Sequence, residues 1–83
     1  MTRTNTGTDA LLTDRQREVV ALIAAGCSND EVGISLGISA RTAKAHSDAL
    51  RVKLGVARRR QIPAAFRRLT GEDPLGIPLS GDR

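Results

Sequence analysis

Apolar residues in this chain recur at the three- and four-residue intervals of a helix in four separate stretches, with polar or glycine-containing breaks between them. In the first stretch Val19, Leu22 and Ile23 line one face, with Val20 beside it. The run opens at Leu12-Thr13-Asp14-Arg15-Gln16, where Thr13 and Gln16 have capping-box spacing and Asp14 suits the positive end of a helix. Gly26 stops it, which predicts a helix over about residues 14–25. Ser28-Asn29-Asp30-Glu31 is a second capping box, and Val32 and Leu36 give the inward face of a short helix over about 29–36, closed by Gly37. Ser39 is an N-cap for the third helix, about 40–54, in which Ala43, Ser47, Leu50 and Leu54 make a narrow inward stripe before Gly55. Ile62, Ala65, Phe66 and Leu69 share one face of a fourth helix over about 60–70; Pro63 lacks an amide hydrogen and fits only its first turn.

These elements predict an all-α fold, a four-helix bundle occupying residues 11–70. A polar arm with four threonines, residues 1–10, precedes it and is expected to be flexible. A tail, residues 71–83, follows with Pro74, Gly76, Pro78 and Gly81, and is expected first to be disordered. Its alternating Leu75, Ile77 and Leu79 leave open an extended segment that binds a partner or docks on the chain itself. Gly33 in a helix interior costs about 1 kcal/mol relative to alanine, which predicts close approach of the next helix across it. Val56 is expected to pack inward, whereas Ile34 and Val52 lie off the apolar faces.

The second helix, a glycine turn and the third helix together have the layout of a helix-turn-helix. On the outward side of the third helix lie Arg41, Lys44, Ala45 and Asp48, with Arg51 at the margin. Long cationic and hydrogen-bonding side chains with small residues between them suit the major groove, whose base edges offer donors, acceptors and thymine methyls. Charge sharpens this picture. From Arg41 to Arg68 nine basic residues face a single acid, a span of +8, while the rest of the 83-residue chain carries −4. A basic half of this kind fits a polyanion, most commonly nucleic acid, and is equally compatible with a solvated helical surface. The amides near Ser28 and Asn29 make a weak anion site, Thr13 can contact a phosphate as well as cap its helix, and Arg58-Arg59-Arg60 can clamp phosphates. Arg3 can reach DNA from the arm.

Cys27 is the only cysteine, so neither an intrachain disulfide nor a cysteine-based zinc site can form, and its apolar setting is that of a small packed side chain. With one histidine and no convergent acid pair, the chain offers no catalytic constellation, metal site or cofactor site. No apolar run reaches the length of a membrane span and no signal peptide is recognisable, so a cytoplasmic location is expected.

Leu12-Thr13 with Arg15, Arg17-Glu18-Val19, Gly26, Ser28-Asn29, Glu31-Val32, Leu36, Ile38-Ser39, Thr42, Lys44, His46, Lys53-Leu54-Gly55-Val56, Arg59 and Gln61 together resemble the DNA-binding domain of LuxR-type (FixJ/NarL/GerE-like) bacterial transcription regulators. The resemblance implies a third helix in the major groove, with base and backbone contacts at Lys44, Ala45 and Asp48 and phosphate contacts at Thr42 and Arg59. It also implies a fourth helix that forms a homodimer, which here would use Ile62, Phe66 and Leu69. His46 takes the place of a packing residue. The chain departs from the family pattern at Asp48, where many relatives have a neutral or basic side chain, at Ala43 and Gly33, which replace larger residues, and at Pro63 and Phe66. About ten residues precede the first helix, as in stand-alone members. The expected function is a sequence-specific regulator binding double-stranded DNA as a homodimer. The alternative is a protein-interaction module that pairs with a larger regulator or the transcription machinery through the fourth helix and the tail.

Overall fold

A computed structural model describes residues 12–79. The arm at 1–10, with Arg3, lies outside the described residues, as do the last four. Every regular element in the described span is helical: α1 Asp14–Ala24, α2 Asn29–Leu36, α3 Ala40–Leu54 and α4 Ile62–Thr70, with short 3-10 turns at Arg59–Gln61 and Pro74–Gly76.

Local chemistry accounts for the helix starts. The Thr13 hydroxyl accepts from the Gln16 amide while the Gln16 side chain accepts from the Thr13 amide, both at 3.0 Å. Ser28 and Glu31 repeat the arrangement at 3.1 and 2.8 Å. Ser39 accepts from the Thr42 amide at 2.9 Å. Each cap satisfies first-turn donors that no carbonyl within the helix can reach. The fourth helix departs from expectation, because its first turn is 3-10 and regular α geometry begins only at Ile62. Pro63 cannot donate to the carbonyl four residues back, so Arg59 takes the Ile62 amide instead.

The core is built from Leu12, Val19, Val20, Leu22 and Ile23 of the first segment, Val32 and Leu36 of α2, Ala43 and Leu50 of α3, and Ile62 and Phe66 of α4. Val56 is half-buried against it. α2 lies chiefly on α3, while α1 packs on both α3 and α4. Phe66, the only aromatic residue, is completely buried. Burying a ring of that size contributes up to about 3 kcal/mol. This corrects the expected dimer face: Ile62 and Phe66 point into the chain's own core, and only Leu69, 45% exposed, remains on the surface. A domain this small relies on a few large buried side chains, among them Phe66, Leu50 and Ile62, to fill its core. Ile34 and Val52 are exposed, as their places in the helical repeat require.

Gly33 is needed where the turn folds back. Gly37 adopts a left-handed conformation (φ 71°), and the Gly33 carbonyl accepts from the amides of Gly37 and Ile38. The turn thereby closes so tightly that a Cβ on Gly33 would sit 2.6 Å from the Ile38 carbonyl oxygen.

The tail corrects the expectation of disorder as far as residue 79. Pro74 is buried, Ile77 and Leu79 pack against the core, and the Pro74–Gly76 turn lies mainly on α1. Arg17 donates to the Glu72 carboxylate at 2.6 Å, and its guanidinium stands 5.6 Å from the centre of the Phe66 ring. Asp73 accepts from the Leu75 amide at 3.0 Å and opens the turn. Self-docking wins because the apolar side chains of the segment find core edges to cover, and its prolines reduce the chain entropy lost on ordering.

Gly33→Val should destabilise the protein by about 2 kcal/mol in urea unfolding, because the added atoms meet backbone that cannot move aside. Truncation after Gly71 should cost a similar amount, about 2 kcal/mol, by exposing core edges that Pro74, Ile77 and Leu79 now cover. An unchanged unfolding midpoint in the truncated protein would mean that the strap contributes nothing.

Candidate nucleic-acid interface

The α3 helix presents two dissimilar sides. Its inner stripe of Ala43, Ser47 and Leu50 is buried, and Leu54 is half-buried against the core. The remaining positions leave Arg41, Thr42, Lys44 and Ala45 exposed along the opposite side, with Asp48 and Arg51 half-exposed beyond them. Six of the residues expected to meet nucleic acid are therefore carried by one helix.

Within that face Lys44, Asp48 and Arg51 are paired. Asp48 lies between two cations of its own helix: Lys44 Nζ is 2.9 Å from one carboxylate oxygen and an Arg51 guanidinium nitrogen 2.9 Å from the other. The hydrogen bond from Lys44, and then that from Arg51, holds the Asp48 carboxyl below its ordinary range. Arg51 also reaches the Ala57 carbonyl at 3.3 Å, which ties it to the segment after the helix. Thr42 accepts from the Ser39 hydroxyl at 3.0 Å and so belongs to the cap that starts α3.

A second group sits where α2, α3 and the 3-10 turn converge. The Asn29 side-chain carbonyl is 3.1 Å from the Ser47 hydroxyl and 3.1 Å from Arg59 Nε. Arg59 donates again to the Cys27 carbonyl at 2.7 Å. One amide oxygen at the first residue of α2 is thus shared by a residue of α3 and a residue of the turn before α4. Ser47 also lies 3.2 Å from the Ala43 carbonyl, so its hydroxyl is well supplied with acceptors in an apolar stripe. Asn29 and Arg59, expected to touch the DNA backbone, spend these side-chain atoms inside the protein and fix the angle at which α3 is displayed. Ser47 was legible only as a small inward residue; a hydroxyl on an otherwise apolar stripe is the signal that a hydrogen-bonding partner must lie opposite it.

The other sequence candidates are arranged less tightly. Ser28 is exposed at the start of α2, beside Asp30 and Glu31, whose carboxylates oppose an anion there; Glu31 is committed to the Ser28 amide. Thr13 is exposed at the start of α1 and is bonded to Gln16, whose side-chain oxygen also takes Lys53 Nζ at 3.2 Å. Thr13 therefore stands by the last turn of α3, away from the end that carries Arg41. Arg58 and Arg60 are exposed on either side of half-buried Arg59. His46 is half-buried on the flank of α3.

This fold, with a short capped helix locked against a longer one that displays a polar face, coincides with a family match over residues 10–64, to the bacterial regulatory proteins of the luxR family. The chain belongs to that family. Its members are helix-turn-helix, DNA-binding transcription regulators and not a class of enzyme. Among similar proteins, the transcriptional regulatory protein MctR of Rhizobium johnstonii is 44% identical over 54 residues, 65% of this chain and 25% of that protein. The HTH-type transcriptional regulator MalT of Yersinia pestis is 41% identical over 58 residues, 70% of this chain and 6% of its own length. The chain thus spans a quarter or less of the length of these relatives. No solved structure matches it. Among the described residues of this luxR-family chain no helix is long and apolar enough to cross a membrane.

Replacing Asn29 by alanine should cost about 2 kcal/mol in urea unfolding, because two donors lose one acceptor and one of them is a cation. The losses in Asn29→Ala and Arg59→Ala should be non-additive, since both remove the same bond. Strict additivity in a double-mutant cycle would show that this junction does not hold the two helices together.

Proposed function

We propose that this luxR-family chain is a sequence-specific transcriptional regulator, with α3 in the major groove of duplex DNA. It works in the cytoplasm as a homodimer, each subunit reading one half-site. The observation that carries this reading is the outward face of α3, where exposed Arg41, Thr42, Lys44 and Ala45 lie on a helix whose other side is locked into the core. Phosphate oxygens draw such cations, and small Ala45 lets the helix approach base edges closely. Arg51, Arg58 and Arg60 add positive charge at the borders. The Ser28 amide is taken by Glu31, so this end of α2 contributes mainly through Asn29, which together with Arg59 sets the pose of α3.

Homodimer formation is supported by Leu69, the surviving exposed member of the expected α4 face, and by Leu75, which is also exposed. Two-fold pairing predicts half-sites whose centres lie about 10 bp apart. An interaction module working through the tail has less behind it, because residues 77 and 79 are partly spent on the chain's own core.

Selection of bound duplexes from a random pool should return a palindromic motif. Binding to it should weaken steeply with salt, as log affinity falls by about 0.9 per phosphate contact for each log of salt concentration. Lys44→Ala and Arg41→Ala should each weaken binding about tenfold while leaving the unfolding midpoint in place. Leu69→Asp should keep single half-site binding and lose the added affinity for paired half-sites. If the selected pool is indistinguishable from the starting pool, sequence-specific recognition by α3 is ruled out.

A further inference from the structure

A face meant to meet a polyanion carries one carboxylate at its middle. Asp48 is half-exposed on α3, four residues after Lys44 and three before Arg51, and is bonded to both at 2.9 Å. Its immediate neighbours along the helix surface are therefore the cations that would otherwise reach phosphates or guanine edges. Ion pairs this exposed add little to folding, so stability is a weak reason for the arrangement.

We propose that Asp48 is a specificity-determining residue that suppresses binding to arbitrary duplex and selects cytosine at one position of each half-site. This rests on the groove-reading role of α3 proposed above. An ionised carboxylate is acceptor-only, with about four lone-pair positions on its two oxygens. Lys44 and Arg51 each take one oxygen, and each oxygen can accept once more. In the major groove only the amino groups of cytosine and adenine donate. The cytosine amino group is a carboxylate's usual partner, whereas adenine also offers an acceptor that a carboxylate cannot satisfy. Any other base at that position, or a phosphate brought close by a shift in register, sets an acceptor against Asp48. Lys44 and Arg51, held on either side, are placed to donate to guanine acceptors near that cytosine.

On a non-cognate duplex the two cations keep their carboxylate and their attraction for phosphate is partly cancelled. On the cognate duplex Asp48 gains a donor, and the cations need not leave it in order to reach the groove. Discrimination then comes from a repulsive element built among attractive ones.

The test compares duplexes selected by the wild-type chain, D48N and D48A, after thermal unfolding shows all three to be folded. The wild-type motif should contain an invariant cytosine in each half-site. D48N should exchange it for adenine, the usual partner of an asparagine side chain, or lose the preference, as D48A should. Both variants should bind a scrambled duplex more tightly than wild type, with a salt dependence steeper by about one phosphate contact. The ratio of cognate to scrambled affinity should fall about tenfold. A wild-type motif that D48N and D48A both reproduce, with unchanged scrambled-duplex affinity, would overturn this role for Asp48 and leave DNA reading by α3 intact. A wild-type chain that selects no motif would remove both.

Discussion

The angle between α2 and α3 governs whatever this protein presents to a partner, and it is held by two contacts of different kinds. One is steric: the turn folds onto Gly33 so closely that no side-chain carbon fits between it and the Ile38 carbonyl. The other is polar, with Asn29 accepting from both Ser47 and Arg59, so that the start of α2 is bonded to the middle of α3 and to the turn leading into α4. Packing alone leaves helices some freedom to roll on one another. A shared, directional acceptor removes that freedom and makes the outward face of α3 a rigid display.

Behind that display the core is thin, while Ile34, Val52, Leu69 and Leu75 stay outside it. Phe66 fills the space between α1 and α4, Ile62 lies beside it, and the strap of Pro74, Ile77 and Leu79 covers edges that four short helices leave open. Arg17 joins strap to core by bonding Glu72 while resting over the Phe66 ring. The consequence for assembly is that, of Ile62, Phe66 and Leu69, only Leu69 is left on the surface.

The display itself combines attraction with restraint. Arg41 and Lys44 stand outward, but Lys44 and Arg51 are bonded to Asp48, whose carboxyl they hold below its ordinary range. A face made only of cations would bind any duplex through its phosphates, and the role proposed for Asp48 is to set a condition on the bases.

Helix positions, their caps and the cationic side of α3 were legible in the linear chain. The capping boxes at Thr13 and Ser28 and the spacing of Val32 with Leu36 act within one helical turn, where neighbours in sequence are neighbours in space. Three features belong to the folded molecule alone. Ile62 and Phe66 turn inward instead of outward, the segment after Thr70 docks instead of remaining loose, and Asn29 and Arg59 bond each other. For the last two the deciding partner lies far along the chain: Arg17 and Glu72 are 55 residues apart, and Asn29 and Arg59 are 30 apart. An apolar stripe says that a face must be covered, and an exposed-looking arginine says that it needs acceptors. Which surface does the covering, and which oxygen accepts, depends on how the helices have already been brought together.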